Sequence, residues 1–196
     1  MNRALLIVDV QKDFSEGGSL PIFGAYDVAG GITNLIKTGA YDFYYTSRDW
    51  HNPDETNSGH FSDTPDFVNS WPVHCVANTE GAEYNNWLDL STVPYTEFRK
   101  GQGIASYSAL EGRTVGDTNL IQTINKDKVS YVDVCGLAFD FCVRASAIDL
   151  MLQYYTYAPV TRVLTNLTAS VSRITEMKAA IELNAAGVAL VEAEGV

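Results

Sequence analysis

The order of its segments predicts that this chain is an α/β protein, a three-layer α/β/α sandwich around a mostly parallel sheet. Short apolar or aromatic runs that are typical of strands alternate with longer stretches that are typical of helices. The first run, RALLIVDV at 3–10, is apolar without alternation, as in a strand buried on both faces of a parallel sheet. Neither an internal repeat nor a linker interrupts the 196 residues, so we expect a single domain over 1–196.

The first half of the chain then holds one helix, one strand and a long irregular stretch. AYDVAGGITNLIKTG at 25–39 predicts a helix that ends at Gly39, and YDFYYTSRDW at 41–50 is rich in the aromatic residues that favour strands. Residues 50–94 show no sustained period and contain four prolines. A structureless stretch of this length inside a compact domain is usually functional.

The second half continues the alternation and ends on a strand. Its predicted elements are a strand at 95–101, a helix at 116–128, a strand at 129–138, a helix at 139–155, a strand at 161–168, a helix at 172–187 and a strand at 188–193. Asp117 or Thr118 is expected to cap the first of these helices. Ser172 is expected to cap the last, with Gly187 just past its end.

Composition and charge narrow the classes of partner. The net charge of −11 disfavours nucleic acid and anionic membranes as partners, because those surfaces attract basic patches, and it says little about a small-molecule substrate. The opening apolar run at 4–8 is shorter than the ~7–15 residues of a signal-peptide core, and no run approaches the ~18 of a membrane helix. Cys75, Cys135 and Cys142 are an odd set without framework spacing, so we expect free thiols and a cytoplasmic location.

Four reactive side chains follow predicted strands, at the edge where parallel sheets bind ligands. Asp9, Asp49 and Lys100 end three strands, and Cys142 lies in the first turn of the helix after the fourth. At a helix start, free N–H groups and the helix dipole would lower the pKa of the thiol and favour a nucleophile. A partly buried Asp9 could accept its proton, with Lys100 stabilising the charge. The alternatives are a buried cysteine, a capping carboxylate and a solvated lysine.

All three histidines of the chain, His51, His60 and His74, lie within 24 residues of the long loop. Asp49 and His51 point to the same side of an extended segment and could reach one ion together. Such a ligand set suits Zn²⁺, Fe²⁺ or Mn²⁺ and does not choose among them. We therefore predict a metal-binding loop at about 49–94, the alternative being three histidines in a polar loop.

Five motifs occur in order along nearly the whole chain. They are DVQKDF at 9–14, DWH at 49–51, GHFSDTPDF and SWPVHC within 59–75, RKG at 99–101 and GLAFDFCV at 136–143. Together they resemble the nicotinamidase/pyrazinamidase family of isochorismatase-like hydrolases. Each motif is weak by itself, and the resemblance is specific because all five are present in sequence.

The resemblance implies a role for each matching residue. It implies a catalytic triad of Asp9, Lys100 and Cys142. It implies an oxyanion hole from the backbone N–H groups of Ala138 and Cys142, next to a cis peptide bond between Leu137 and Ala138. The implied metal ligands are Asp49, His51 and His74, with His60 as a fourth ligand found in some members. The implied substrate-binding aromatic residues are Phe14, Trp71 and Tyr107.

The implied reaction is hydrolysis of nicotinamide to nicotinate and ammonia through a cysteine thioester, with pyrazinamide as a second substrate. One divalent transition metal ion (zinc, iron or manganese) is the implied cofactor. An amidase acting on an N-carbamoyl or ureido substrate is one alternative, although such relatives lack the metal ligands. A non-catalytic metal-binding module is another, and it would need no triad. Isochorismate cleavage is disfavoured, because those enzymes lack the cysteine.

The chain also departs from the family pattern at three places. Lys12 stands where asparagine is common, and FDF at 139–141 replaces a segment of the TDY type. The turn at 153–162 is longer than usual. None of these removes a reacting group, and Phe139 is the residue expected to change the shape of the pocket.

Overall fold

The computed structural model describes residues 1–53, 56–152 and 159–194. The strands are β1 (Asn2–Val8), β2 (Phe43–Asp49), β3 (Tyr95–Lys100), β4 (Val129–Leu137), β5 (Val160–Ala169) and β6 (Ala189–Val191). The helices are α1 (Ala25–Lys37), α2 (Leu120–Lys126), α3 (Arg144–Leu152) and α4 (Arg173–Ala185). The strands form one sheet in the order β3-β2-β1-β4-β5-β6, and every neighbouring pair runs parallel. The predicted α/β fold with a parallel sheet is confirmed.

The central strand β1 is buried on both faces, as its apolar run predicts. Leu5 and Ile7 point into the core beneath α1 and the long loop, whereas Ala4, Leu6 and Val8 point into the core beneath α2, α3 and α4. Alternate residues of one strand thus supply two separate cores. The sheet is the middle of three layers, and the ends of β1, β2, β3 and β4 lie at one edge.

The start of α2 differs from the prediction. Asn119 is the N-cap: its side chain accepts the N–H of Gln122 at 2.9 Å, and the Gln122 side chain accepts the N–H of Asn119 at 3.0 Å. Neither Asp117 nor Thr118 caps the helix, so that prediction is wrong. Asp117 has φ 61° and belongs to the preceding turn. The reciprocal pair satisfies two N–H groups at once, which a single carboxylate two residues earlier could not do.

The helix predicted at 139–155 is two elements in the structure. Residues Phe139–Val143 form a π turn, and α3 continues from Arg144. A π turn adds one residue per turn and is frequent at functional sites. The end of the predicted helix and most of the long turn at 153–162 lie outside the described residues. At the other end of the chain, Ser172 caps α4 by accepting the N–H of Thr175, as predicted.

A buried carboxylate on β4 forms hydrogen bonds that link β4 to β5 and to the segment before β2. Asp133 is 1% exposed and accepts hydrogen bonds from Tyr41 Oη at 2.7 Å and from two nitrogens of Arg162 at 2.6 and 2.7 Å. Although burial opposes ionisation, Arg162 and Tyr41 lower the pKa of Asp133 below its usual value. Within the described residues, no helix has the length and apolar character to cross a membrane.

We expect Asp133→Asn to lower the free energy of unfolding by about 1–3 kcal/mol, because it breaks charged hydrogen bonds inside the protein. Arg3→Ala is the control: that side chain is 42% exposed, so its ion pair with Asp133 should contribute under about 1 kcal/mol. Because the pKa of Asp133 is lowered on folding, its contribution is present above pH ~4 and lost as the pH falls below that. Urea unfolding at pH 7 and pH 3 measures both effects, and equal losses for the two variants at pH 7 would contradict this.

Candidate active site and metal centre

One buried lysine joins three of the residues predicted to react. Lys100 Nζ lies 2.8 Å from Asp9 Oδ2 and 3.6 Å from Cys142 Sγ, and it also donates a hydrogen bond to Asp49 Oδ1. Its remaining contact is with the carbonyl of Ser106 at 3.2 Å. The Lys100 side chain is fully buried, so the alternative of a solvated lysine is excluded. The structure brings Asp9, Lys100 and Cys142 together, and their catalytic roles stay a prediction.

Strand pairing positions these groups. Asp49 and Lys100 are direct neighbours in the β2–β3 register, so their side chains leave the sheet side by side. Asp9 follows β1 with φ 48°, and its N–H donates to the carbonyl of Ser47 at 3.1 Å. The Ser47 hydroxyl donates to Asp9 Oδ1 at 2.7 Å. Ser47 is a supporting residue that the sequence did not reveal, because only the register shows that it faces Asp9.

The surroundings of the two carboxylates shift their pKa values in opposite directions. Burial raises the pKa of Asp9, and the nearby charge of Asp49 adds to this against the opposing effect of Lys100. Burial also disfavours ionisation of Asp49, but the Lys100 ammonium and the imidazoles of His51 and His74 hold the pKa of Asp49 well below its usual value. Asp9 is therefore suited to exchanging a proton, whereas Asp49 stays an anion.

The pKa of the Cys142 thiol corrects the sequence-based expectation. Burial raises it well above its usual value, and Lys100 offsets this only in part. The expected lowering by a helix start does not prevail, because Cys142 is buried within a π turn rather than exposed at the first turn of an α-helix. Cys142 is therefore a thiol that needs a proton acceptor, and atoms of Asp9 and Asp49 lie within 4.8 Å of its sulfur.

Three imidazoles meet beside this cluster. Nitrogens of His51, His60 and His74 lie within 4.8 Å of one another, and all three residues are buried. His51 Nδ1 is hydrogen-bonded to the carbonyl of Gly101 at 2.8 Å, and His74 Nδ1 to that of Pro72 at 2.7 Å. These contacts turn the Nε2 atoms of His51 and His74 towards Asp49, each 3.7 Å from Oδ2. The backbone thus orients the rings as it commonly does for metal ligands.

The donor atoms present fit a divalent metal ion. His51 Nε2 and both ring nitrogens of His60 are buried and have no hydrogen-bond partner among the described residues. Unpaired polar atoms are costly in a protein interior unless an ion or water satisfies them. Burial, together with His51 and His74, lowers the pKa of His60 to about 3, so this ring is neutral and can ligate. Three imidazoles and a carboxylate are a typical transition-metal set.

Gly101 is required by the close approach of the metal loop. It has φ +81°, and a Cβ at this position would lie 2.5 Å from His51 Cε1. Only glycine combines this backbone conformation with room for the ring. The RKG motif therefore places Lys100 in the ion cluster and makes space for His51 with the next residue.

A cavity opens next to both groups. It is lined by Phe14, Leu20, Ile22, Asp49, His60, Trp71, His74, Tyr107, Ala138, Phe141, Cys142 and Val171. The three predicted aromatic residues are among them. Trp71 Nε1 donates to Tyr107 Oη at 3.0 Å, and the Trp71 ring meets Phe141 edge to face with centroids 4.9 Å apart. Most of the lining side chains are aromatic or aliphatic, and the others are candidate metal ligands and Cys142.

Phe141, not Phe139, shapes the cavity. Phe139 is buried in the core beneath α2, α3 and α4 and does not line the cavity, so the expectation that it changes the pocket is wrong. The two phenylalanines flank Asp140 in the π turn and point to different places. The helix predicted from sequence could not show which of them reaches the cavity, because the π turn alters the angle between successive side chains.

The segment between β4 and the nucleophile also agrees with the family pattern. The Leu137–Ala138 peptide bond is cis, as the resemblance implies. Ala138 and Cys142 both border the cavity. The role of their N–H groups as an oxyanion hole stays a prediction.

Gln11 is a supporting residue that the sequence analysis missed. Its Nε2 donates to the carbonyls of Asp49 at 2.9 Å and Ala82 at 3.0 Å, while its Oε1 accepts the N–H of Asp49 at 2.9 Å. Two residues later, Asp13 Oδ2 accepts the N–H of Cys75 at 2.7 Å. The first motif thus holds the backbone on both sides of the metal loop. The signal available in the sequence was the position of this glutamine directly after the predicted strand at 3–10.

Two solved structures show that the fold of this chain is that of the isochorismatase-like hydrolases. Solved structures of isochorismatase-like hydrolases that are 18% and 21% identical in sequence share this fold, with TM-scores of 0.72 and 0.73. No family model matches the chain.

Individual relatives narrow the class to a family. The nicotinamidase/pyrazinamidase of Mycobacterium tuberculosis is 41% identical over 191 residues, which cover 96% of this chain and 98% of the relative. A protein of L. infantum solved in complex with nicotinate is 28% identical, with a TM-score of 0.82, over 97% of this chain and 92% of its own. The pyrazinamidase of Pyrococcus horikoshii in complex with zinc is 27% identical, with a TM-score of 0.80, over 98% and 100%. The chain belongs to the nicotinamidase/pyrazinamidase family.

The contacts of His51 and His60 predict different effects on metal binding when each histidine is replaced by alanine. His51→Ala should remove bound metal, because His51 is completely buried and its Nε2 faces Asp49. His60→Ala should weaken metal binding but leave Asp49, His51 and His74, a set that water can complete. Bound metal per chain, measured by mass spectrometry over a zinc titration, should fall to background for His51→Ala and recover at high zinc for His60→Ala. Wild-type affinity in His60→Ala would show that His60 is not a ligand.

Proposed function

We propose that this protein is a metal-dependent amidohydrolase that converts nicotinamide to nicotinate and ammonia, and pyrazinamide to pyrazinoate, through a cysteine thioester. One observation supports this most strongly: Cys142, held near Lys100 and Asp9, borders an aromatic cavity that His60 and His74 also line. The relative from Mycobacterium tuberculosis is named for both amides, and the L. infantum structure contains nicotinate.

The first half of the reaction uses the ion cluster. Asp9, whose pKa is raised, accepts the proton of the Cys142 thiol, and the Lys100 ammonium stabilises the thiolate that forms. The sulfur attacks the amide carbon and forms the C–S bond, while the carbonyl electron pair moves to oxygen. Backbone N–H groups of Ala138 and Cys142 stabilise this oxyanion. Asp9 then gives its proton to the amide nitrogen, the C–N bond breaks and ammonia leaves.

The second half reuses the same acid. Asp9, again a carboxylate, accepts a proton from a water molecule as the water oxygen adds to the thioester carbon. The resulting oxyanion collapses, the C–S bond breaks and the sulfur recovers the proton. Nicotinate is released and the Cys142 thiol is restored. The two half-reactions return every proton except the one that the acid product releases to solvent.

The ligand set and the aromatic walls orient the substrate. Asp49, His51, His60 and His74 would hold one divalent ion, which we propose to be zinc, iron or manganese, and when bound it supplies a Lewis acid that can hold the pyridine nitrogen. Phe14, Trp71 and Tyr107 contact the ring and exclude water. A ring held between these residues places its carboxamide towards Cys142.

The same observations decide against the alternatives. The histidine cluster disfavours an N-carbamoyl or ureido amidase, and the buried ion cluster has no use in a metal-binding module without catalysis. We propose that the whole chain, 1–196, is a single catalytic domain with its metal loop at about 49–94. We further propose that it works in the cytoplasm, where its free cysteines remain reduced.

Cys142→Ala should lower ammonia release from nicotinamide by at least ~1,000-fold, because the attacking atom is lost. Cys135→Ala is the matched control, since Cys135 is completely buried in β4 and does not line the cavity. It should retain most of the wild-type rate. Ammonia is measured with purified protein, with and without a chelator. Turnover by Cys142→Ala above a few per cent of wild type would contradict the thioester mechanism.

Trp71→Ala should raise KM for nicotinamide by about tenfold or more, because a ring wall of the cavity is removed. Trp71→Phe should have a smaller effect, since it keeps an aromatic ring and loses only the hydrogen bond to Tyr107. Trp50→Ala should leave KM within about twofold. Trp50 lies outside the cavity, between the guanidinium groups of Arg48 and Arg99 at 4.6 and 4.2 Å. Equal changes in KM for Trp71→Ala and Trp50→Ala would exclude Trp71 as a wall of the substrate site.

A further inference from the structure

Asp140, two residues before the nucleophile, is a buried carboxylate that the reaction does not use. It is 1% exposed. It accepts the N–H of Val171 at 3.0 Å on Oδ1 and 3.1 Å on Oδ2, and the N–H of Ser172 at 3.3 Å on Oδ2. The hydroxyl of Thr175 also donates to Oδ2. All these donors belong to the junction between β5 and α4, far along the chain from the π turn.

These hydrogen bonds join two parts of the active site. The π turn at one end carries Phe141 and Cys142, which both line the cavity. The junction at the other end carries Val171, which lines the same cavity. One side chain therefore attaches the segment with the nucleophile to another part of the cavity wall.

The chemistry of this contact favours a carboxylate. Two backbone N–H groups and one hydroxyl converge on Oδ2, and the N–H of Val171 also reaches Oδ1. An amide with its oxygen at the Oδ2 position would present its NH₂ group to the N–H of Val171. The negative charge is also favourable next to the first turn of α4, where N–H groups are exposed.

We propose that Asp140 is a positioning residue that holds the π turn in place, so that Cys142 stays next to Lys100 at the edge of the cavity. Asp140 touches neither the substrate nor the reacting atoms and acts through the backbone of the turn. The contrasting explanation is that Asp140 only caps α4. The proposal rests on the proposed function for its kinetic readout alone.

Ser172→Ala separates these explanations. The Ser172 hydroxyl accepts the N–H of Thr175 at 3.2 Å and so caps α4 by itself, whereas its backbone N–H still donates to Asp140 in the variant. Ser172→Ala also removes the hydrogen bond of 2.7 Å between the hydroxyls of Ser172 and Thr175. It thus weakens the helix start but keeps all three groups that donate to Asp140. Asp140→Asn weakens both the helix start and the link to the π turn. Comparing the two variants at similar losses of Tm isolates the effect of the link.

Two measurements test the proposal on the full-length protein. Steady-state kinetics with nicotinamide should show kcat of Asp140→Asn at least about tenfold lower, since a small displacement of the nucleophile has effects of this order. KM should change by a smaller factor than kcat, because Phe14, Trp71 and Tyr107 lie on other segments and only Phe141 of the aromatic lining belongs to the turn. Hydrogen exchange by mass spectrometry should show faster exchange in 139–143, where the N–H groups of Phe141 and Val143 bond to the Ala138 carbonyl at 3.1 Å. Ser172→Ala should keep kcat within about twofold and leave 139–143 protected.

Thr175 supplies a second pair of variants, which decides the matter even if Asp140→Asn does not fold. Thr175→Val removes one donor to Asp140 and should lower kcat several-fold, and Thr175→Ser, which keeps the hydroxyl, should restore it. Equal kcat losses in Asp140→Asn and Ser172→Ala, unchanged exchange in 139–143, or wild-type kcat in Thr175→Val would each overturn the proposal. If wild-type protein releases no ammonia, the proposed function fails, and the exchange data alone decide the role of Asp140.

Discussion

The ammonium group of Lys100 is the charge around which the active site is built. It lies inside the protein next to Asp9, Asp49 and Cys142, where an unpaired charge would be prohibitively costly. One cation faces two carboxylates, so full ionisation of both would leave an excess negative charge in a dry environment. Burial and the charge of Asp49 raise the pKa of Asp9, whereas the imidazoles of His51 and His74 help to keep Asp49 ionised. Asp9 is therefore the carboxylate that gains more from binding a proton, and the mechanism we propose has it take that proton from the Cys142 thiol.

This requirement for pairing also explains the order of the strands. The carboxylates and the lysine come from β1, β2 and β3, which are adjacent in the sheet, and the cysteine follows β4 on the other side of β1. A parallel sheet brings the carboxyl ends of these four strands to one edge, although the residues lie far apart in the sequence. The three histidines that we propose as metal ligands all lie on the loop that leaves the same edge. Short bridges pair His51 with Val76 and Phe61 with Trp71, and these shape the loop around the histidines.

The fold was predictable because it depends on patterns that can be recognised in the amino-acid sequence itself. The apolar run of β1, the aromatic residues of β2 and the clustered histidines each indicated their element or site. What was missed depends on three-dimensional context. The hydrogen bond from Ser47 to Asp9 depends on strand register. The two hydrogen bonds between the Gln11 side chain and the Asp49 backbone depend on the path of a loop. The raised pKa of Cys142 follows from burial within a π turn, which single-sequence reasoning interpreted as an ordinary helix start.

Gly101 shows how such a site limits the variation that a chain can tolerate. It carries no functional group and binds nothing, yet the ring of His51 occupies the space that any side chain would need. A side chain at this position would push His51 away from the other histidines while leaving all four proposed metal ligands unchanged in the sequence. We therefore expect Gly101 to be as intolerant of substitution as Cys142, the proposed nucleophile. Loss of activity in natural variants can therefore arise where no chemistry is encoded.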